Sequence, residues 1–386
     1  MKLRKSIFTA AILMVAVSLT AQNKSGGINL SVWKNVSTQP VDSAQTTYFN
    51  LGLASYMNRL NGLGINVLVG TVRQSMNGTQ LSGLANIVGG SMRGVQLSGI
   101  TNINGNDMIG ISASGLVNIT GNNAKGVILS GITNIGGDRT SGLVASGLMN
   151  VTGDGASGVQ MSGMANITGA TFDGVMMSGF LNVAGENVNG IQISGISNII
   201  GNRLNGIQIG LCNYATKANG LQIGLVNYYN HEMNGFQLGL VNANPNTKMQ
   251  LMVFGGNATK INVGVRFKNS LFYTIVGAGT HYLDFSDKFS ASFFYRAGLG
   301  VPIYKALSIS GDLGYQHIET FKNRHDGIPA RLYALQARAN LEYQCTKRFG
   351  LFATGGYGIT RYYNKAHNFD KGAIIEGGIC WSFQPI

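Results

Sequence analysis

Few side chains in this sequence could do chemistry, and they lie far apart. His281, His317, His325 and His367 share no metal-ligand spacing, and no serine or cysteine is placed beside them as a nucleophile. Cys212, Cys345 and Cys380 are odd in number and widely separated, so they frame neither a disulfide set nor a metal site. Each is expected to pack as a small apolar residue. Asp107, Asp138, Asp154 and Asp173 recur at irregular places, whereas a calcium-binding repeat needs an aspartate in every turn. "GGYG" at 355–358 reads as a glycine kink in a strand, not a phosphate loop. What remains is Asp312, Arg338, Glu342 and Glu376. Facing a common interior, they could line an ion path or supply a catalytic acid. Buried charges need partners, so the expectation is a paired polar plug, with no catalysis and no cofactor.

The elements that carry those four residues are strands. In "SASFFYRAGLGVPI", Ala291, Phe293, Tyr295, Ala297, Leu299, Val301 and Ile303 share one face, while Ser290, Ser292, Phe294 and Arg296 share the other. In "RLYALQARANLEYQC", Tyr333, Leu335, Ala337, Ala339, Leu341 and Tyr343 face one way and Gln336, Arg338, Asn340, Glu342 and Gln344 the other. An apolar outside with a polar inside is what a membrane β-barrel needs. Eight strands are expected: 249–257, 261–268, 271–284, 289–304, 306–319, 331–345, 349–363 and 372–383. Short links ("NS", "K", "TKR") alternate with longer ones ("FSDK", "TFKNRHDGIPA", "NKAHNFDKG"), as periplasmic turns alternate with outer loops. The last strand, "EGGICWSF", places Gly378, Trp381 and Phe383 after Glu376. It resembles the C-terminal signal by which outer-membrane barrels are recognised for insertion, although Gln384, Pro385 and Ile386 follow the usual final aromatic.

Upstream the chain repeats. Glycine returns every sixteen residues from Gly78 to Gly206, with Ser-Gly four residues after it. Asn86, Asn102, Asn118, Asn134, Asn150, Asn166, Asn182 and Asn198 keep the same period. Three shorter units carry it on with Asn213, Asn227 and Asn242. A fixed period signals a stacked architecture, and short alternation with β-branched residues signals strands. The expected fold is all-β: a β-solenoid of sixteen-residue coils, then an eight-stranded antiparallel barrel. Eleven units at the normal strand spacing would make a rod of roughly 50 Å. The rival is a meander with one antiparallel hairpin per unit.

Three apolar columns, headed by Val95, Leu97 and Ile100, are expected to form the shared interior. The column of Gln96, Gln160, Gln192, Gln208 and Gln222 would then lie outside as a flat ligand face. The asparagine column has two structural uses: amide hydrogen bonds from coil to coil, and tolerance of a left-handed turn.

The division expected is 1–21 leader, 22–77 cap with degenerate coils, 78–248 repeats and 249–386 barrel. "MKLRKSIFTAAILMVAVSLTAQ" has the cationic start, the apolar run and the small residue of a secretory signal peptide. Glycine, 56 of 386, is about twice its usual share. The formal charge of +13 is concentrated at the leader and after residue 250, and six acids stand against six bases between Gly78 and Met249. With no basic helix, nucleic acid is excluded as a partner.

The units "GIQIGLCNYATKANGLQIGLVNYY" resemble the Gly-Leu-Gln-Ile-Gly-Leu-Val-Asn repeats of bacterial surface-repeat proteins, over roughly Gly78 to Asn244. The segment after Met249 resembles an outer-membrane β-barrel domain. These resemblances imply an exported Gram-negative outer-membrane protein, and they transfer no catalytic residue. The expected partners are outer-membrane lipid, the barrel-insertion machinery, and a glycan or protein ligand. Even strand parity with short periplasmic turns places the repeats on the periplasmic side. Adhesion through the solenoid face and a small pore are the alternatives.

Overall fold

The computed structural model describes residues 27–39, 45–280, 283–284, 288–321, 331–363 and 368–383. The leader read from residues 1–21 lies outside them, as do His281, His325 and His367. The chain is all-β, with about eleven turns of parallel solenoid and a closed eight-stranded antiparallel barrel. It divides into two compact units, Met1–Leu221 and Gln222–Ile386.

In the first unit each coil holds two strands. The coil around Gly110 has one at Met108–Ser114 and one at Val117–Thr120, with corners between them. Successive coils pair in parallel at a shift of sixteen residues: Gly110 lies opposite Gly126, and Asn118 opposite Asn134. The antiparallel meander is therefore excluded. The corner backbone is paired too. The amide of Leu116 donates to the Ile100 carbonyl at 2.9 Å, and that of Ile132 to the Leu116 carbonyl at 2.9 Å.

This stacking explains the leading glycine column. Gly126 has φ +132, and a Cβ there would lie 2.0 Å from the Gly110 carbonyl oxygen. Only glycine lets the chain turn left-handed while one coil passes directly over the next.

The faces of the coil are opposite to the sequence expectation. Gln96, Ser112, Ile128, Val144, Gln160 and Met176 point inward and are buried. A second inward column runs Met92, Met108, Ala124, Thr140, Ala156, Phe172. Leu97 and Ile100, which head two of the columns assigned to the interior, lie outside, each about 40% exposed. The column of Val95 is half-buried on the outer side of the same strand. The physical reason is alternation. The residue two after each leading glycine shares the inside with the asparagine, so its neighbours on either side must face out. The glutamine column is thus no ligand face. Gln208 Nε2 donates to Gln192 Oε1 at 3.1 Å inside the stack.

The second unit holds the last short repeats and the barrel. Its eight barrel strands are Lys248–Gly256, Ile261–Asn269, Phe272–Thr280, Lys288–Tyr304, Leu307–Thr320, Arg331–Gln344, Phe349–Tyr362 and Asn368–Ser382. Each pairs antiparallel with the next, and the first closes on the last, with Val253 opposite Ile379. Phe293, Leu299, Val301 and Ile303 point out, and Ser290, Ser292, Phe294 and Arg296 point in, as their alternation requires.

Adjacent residues give the test of the solenoid register. Ile128→Ala should cost about 2–4 kcal/mol as a buried truncation, whereas Leu129→Ala should cost under ~1 kcal/mol. Amide hydrogen exchange across the coils flanking Gly126, in the detergent-solubilised full chain, checks the order. Equal losses of protection would contradict the assigned faces.

Candidate functional site

The most extended arrangement in the first unit is the asparagine ladder. Each Nδ2 carries two protons and uses both. Asn118 Nδ2 donates to Asn134 Oδ1 at 2.9 Å and to the Leu129 carbonyl at 2.6 Å. The side-chain link runs without a break from Asn86 through Asn102, Asn118, Asn134, Asn150, Asn166, Asn182 and Asn198 to Asn213, at 2.8–3.0 Å per step. In the second unit Asn227 Nδ2 donates to Asn242 Oδ1 at 2.8 Å.

Sequence reasoning missed the upstream part of the ladder. Asn29 bonds Asn50 at 2.8 Å, and Asn50 bonds Asn66 at 2.9 Å. Asn66 then reaches Ser82 Oγ at 3.1 Å, and that hydroxyl donates to Asn86 Oδ1 at 2.6 Å. Gly70 stands in the asparagine register, opposite Asn86. A Cβ at Gly70 would lie 2.2 Å from Asn66 Nδ2, so the glycine makes room for the displaced amide.

Inside the barrel the four expected residues lie in a wider network. Arg266 Nη2 meets Glu342 Oε2 at 2.7 Å, joining the second and sixth strands. Arg296 Nη2 meets Glu376 Oε2 at 3.4 Å, joining the fourth and eighth. In a ring of eight both pairs span the lumen, each between opposite walls. Arg338 Nε also reaches Glu376 Oε2, at 3.2 Å. Tyr273 Oη and Asn340 Nδ2 donate to Asp312 Oδ2 at 2.9 and 2.7 Å. The Arg296 guanidinium sits over the rings of Phe254 and Phe294 at 4.5 and 4.8 Å. Arg266, Tyr273 and the phenylalanines were not singled out from sequence. Which side chains meet across a lumen depends on strand tilt and stagger, which spacing along the chain does not encode.

Of the three residues expected to mark insertion, Trp381 and Phe383 face outward and are exposed. Gly378 lies where a Cβ would come within 2.4 Å of Phe254 Cβ. Cys345 and Cys212 are exposed, contrary to the packing expected of them. Both stand at turns or corners on the outer side of their strands, where no core is available. Cys380 is buried, its Sγ 3.5 Å from Glu342 Oε1.

Two concavities have charged residues in their lining. A basin of about 630 Å³ at the short-turn end of the barrel is lined by Lys248, Lys268, Lys305 and Lys347 with Glu342 at its floor. In the first unit a cleft of about 510 Å³ is lined by Lys125, Arg139, Asp154, Asp173 and Glu186. His317 is the one sequence-noted histidine among the described residues. Its Nδ1 lies 2.7 Å from Tyr363 Oη, and its Nε2 lies 3.3 Å from Glu319. Among the described residues no three of His, Cys, Asp and Glu gather to hold a metal ion.

Fold and site together define a parallel solenoid joined in sequence to a barrel with a filled, cross-braced lumen. No family model matches the chain, and no curated protein sequence matches it.

Glu376 is the shared acceptor for two buried guanidinium groups. Glu376→Gln should destabilise the barrel by about 3–5 kcal/mol, because Arg296 and Arg338 would then face each other uncompensated. Loss of the compact, heat-sensitive band on unboiled gels at a lower temperature than for the parent chain is the readout.

Proposed function

We propose that the chain is an exported outer-membrane protein of Gram-negative bacteria without catalytic activity. The barrel is its anchor, and the repeats are its structural or ligand-presenting part. One observation carries the reading: the barrel wall is apolar on the outside, while its lumen is filled by paired charges. Leu299, Leu313, Leu335 and Ile375 are at least half exposed on that wall. Aromatic side chains stand toward both ends. Tyr304, Tyr343 and Trp381 lie at the short-turn end, and Tyr315, Tyr333 and Tyr363 lie toward the long-loop end. Such girdles suit the two interfaces of a bilayer.

The interior favours an anchor over a pore. Two ion pairs and the Phe254, Phe294 and Phe352 cluster occupy the space that a channel would need. The barrel's even strand number puts its start and end on the short-turn side. The repeats preceding it are therefore assigned to the periplasmic side of the membrane. A second reading, recognition of a ligand by the repeats, is favoured by the cleft between Lys125 and Glu186. It replaces the glutamine column, whose amides are buried.

Fractionation should place the protein in the outer membrane, and purified protein in planar bilayers should give no unitary conductance steps. Protease added to intact cells should leave residues 78–245 uncut, while permeabilised cells should expose them. Stepwise conductance would overturn the anchor reading, and cleavage of the repeats on intact cells would overturn the periplasmic assignment.

A further inference from the structure

The outward faces of the first unit divide sharply by polarity. Between Gly78 and Leu221 there are ten charged residues: Arg93, Asp107, Lys125, Asp138, Arg139, Asp154, Asp173, Glu186, Arg203 and Lys217. All ten fall in the stretch from the Gly-Asn or Gly-Asp corner to the next leading glycine. None falls in the ten positions after a leading glycine. That second stretch contains the Ser-Gly corner, and it presents Ile100, Leu116, Ile132, Leu148, Phe180 and Ile196 to the outside, each 37–51% exposed. Over nine coils this makes an uncharged apolar edge ~40 Å long. Continuous exposed apolar surface of this extent marks a site of interaction.

We infer that this edge is a lipid-contacting surface, embedded among acyl chains while the charged edge remains in water. The inference rests on the outer-membrane reading above, and four observations lead to it. The unit's charges are confined to the other edge, so this edge offers hydrocarbon only uncharged, mainly apolar side chains. Backbone groups at the corner are already paired from coil to coil, with the Leu148 amide donating to the Ile132 carbonyl at 2.9 Å. Hydrocarbon demands this, since it offers no hydrogen bonds to exposed peptide groups. The corner side chains vary freely among leucine, isoleucine, methionine and phenylalanine, so the surface is constant in polarity and not in shape. Finally, the second unit shows what the equivalent corner touches. In its last coil Tyr295 Oη donates to the Gly239 carbonyl at 2.8 Å, and Thr274 Oγ1 donates to the Leu240 carbonyl at 3.1 Å. Those two side chains stand on the outward wall of the barrel, so this corner lies against the surface assigned to lipid.

The experiment uses the full chain reconstituted in phosphatidylethanolamine–phosphatidylglycerol vesicles. The exposed native thiols are removed as Cys212→Ser and Cys345→Ser, and Cys380 is kept because it is buried. Spin labels are placed singly by Leu148→Cys and Phe180→Cys on the apolar edge, Asn122→Cys and Asp173→Cys on the charged edge, and Leu335→Cys on the barrel wall. Collisions with oxygen report lipid, and collisions with a water-soluble nickel chelate report solvent. Labels at 148 and 180 should lose nickel accessibility to the level seen at 335, while 122 and 173 keep it. Nickel access at 148 and 180 with 335 protected would overturn the inference and leave the barrel reading intact. Protection of 148 and 180 from both reagents would mean a protein cover, a second copy included, and would also overturn it. Nickel access at 335 would remove the barrel reading and the inference together.

Discussion

The solenoid depends on one constraint: an asparagine amide has two protons, and both must be satisfied inside a narrow stack. Each Nδ2 gives one proton to the next amide and one to a main-chain carbonyl in the next coil, as Asn134 does with Asn150 and Ala145. The first bond fixes the vertical spacing, and the second fixes the rotation of one coil over another. A single hydrogen bond contributes only about 1 kcal/mol net, but an unmade buried one costs about 1–3 kcal/mol. A slip in register would break both bonds at every level at once. Parallel stacking without drift from Asn86 to Asn213 is the consequence.

Satisfying the amides internally has a further effect. The inside holds the ladder together with Met92, Met108, Ile128, Val144 and Phe172, and it has no room for the rest of the coil's apolar content. That remainder goes to the outer face of the same strands, around the Ser-Gly corner. The barrel follows the same rule by different means. Of three buried arginines, Arg266 pairs with Glu342, and Arg296 and Arg338 share Glu376, while the rings of Phe254 and Phe294 pack against the Arg296 guanidinium. Burying such pairs is a poor source of stability, because desolvation offsets the attraction. Their use here is geometric: bonds between opposite walls set the lumen's width and close it.

Much of this was legible in the sequence, and the part that was not has a definite cause. The sixteen-residue period, the eight barrel strands and their faces follow directly from spacing, since a strand alternates strictly and the loops mark its ends. Spacing alone exchanges the inside and outside of the coil because apolar residues stand on both, with Met92, Met108 and Phe172 inward and Leu97 and Ile100 outward. The contrary signal was present: Arg93, Lys125 and Asp173 immediately precede the leading glycine, and no charge occurs near Leu97 or Ile100. A chain that keeps charge out of its interior and also out of one flank has two apolar zones to explain, not one. Asn29, Asn50 and Asn66 were missed because Asn66 enters the ladder from the serine position and needs Gly70 to admit it, an arrangement that no column alignment displays. The partners of Arg266 and Arg296 lie on opposite walls, where sequence distance carries no information.

The repetition itself bears on what can cover the apolar edge. A folded partner recognises a surface through features that occur once, because a unique dock requires that shifted docks be worse. Along this stack a shift of one coil replaces Ile100 by Leu116, Leu116 by Ile132 and Ile132 by Leu148, with the backbone superimposing on itself. Successive positions are therefore nearly degenerate for any rigid partner, and the shape differences among leucine, isoleucine and phenylalanine are too small to single one out. A fluid phase has no register to lose. It wets each side chain whatever its shape and requires only that charge be absent and peptide groups be paired. The edge meets those two conditions at every coil, and it meets no stricter one.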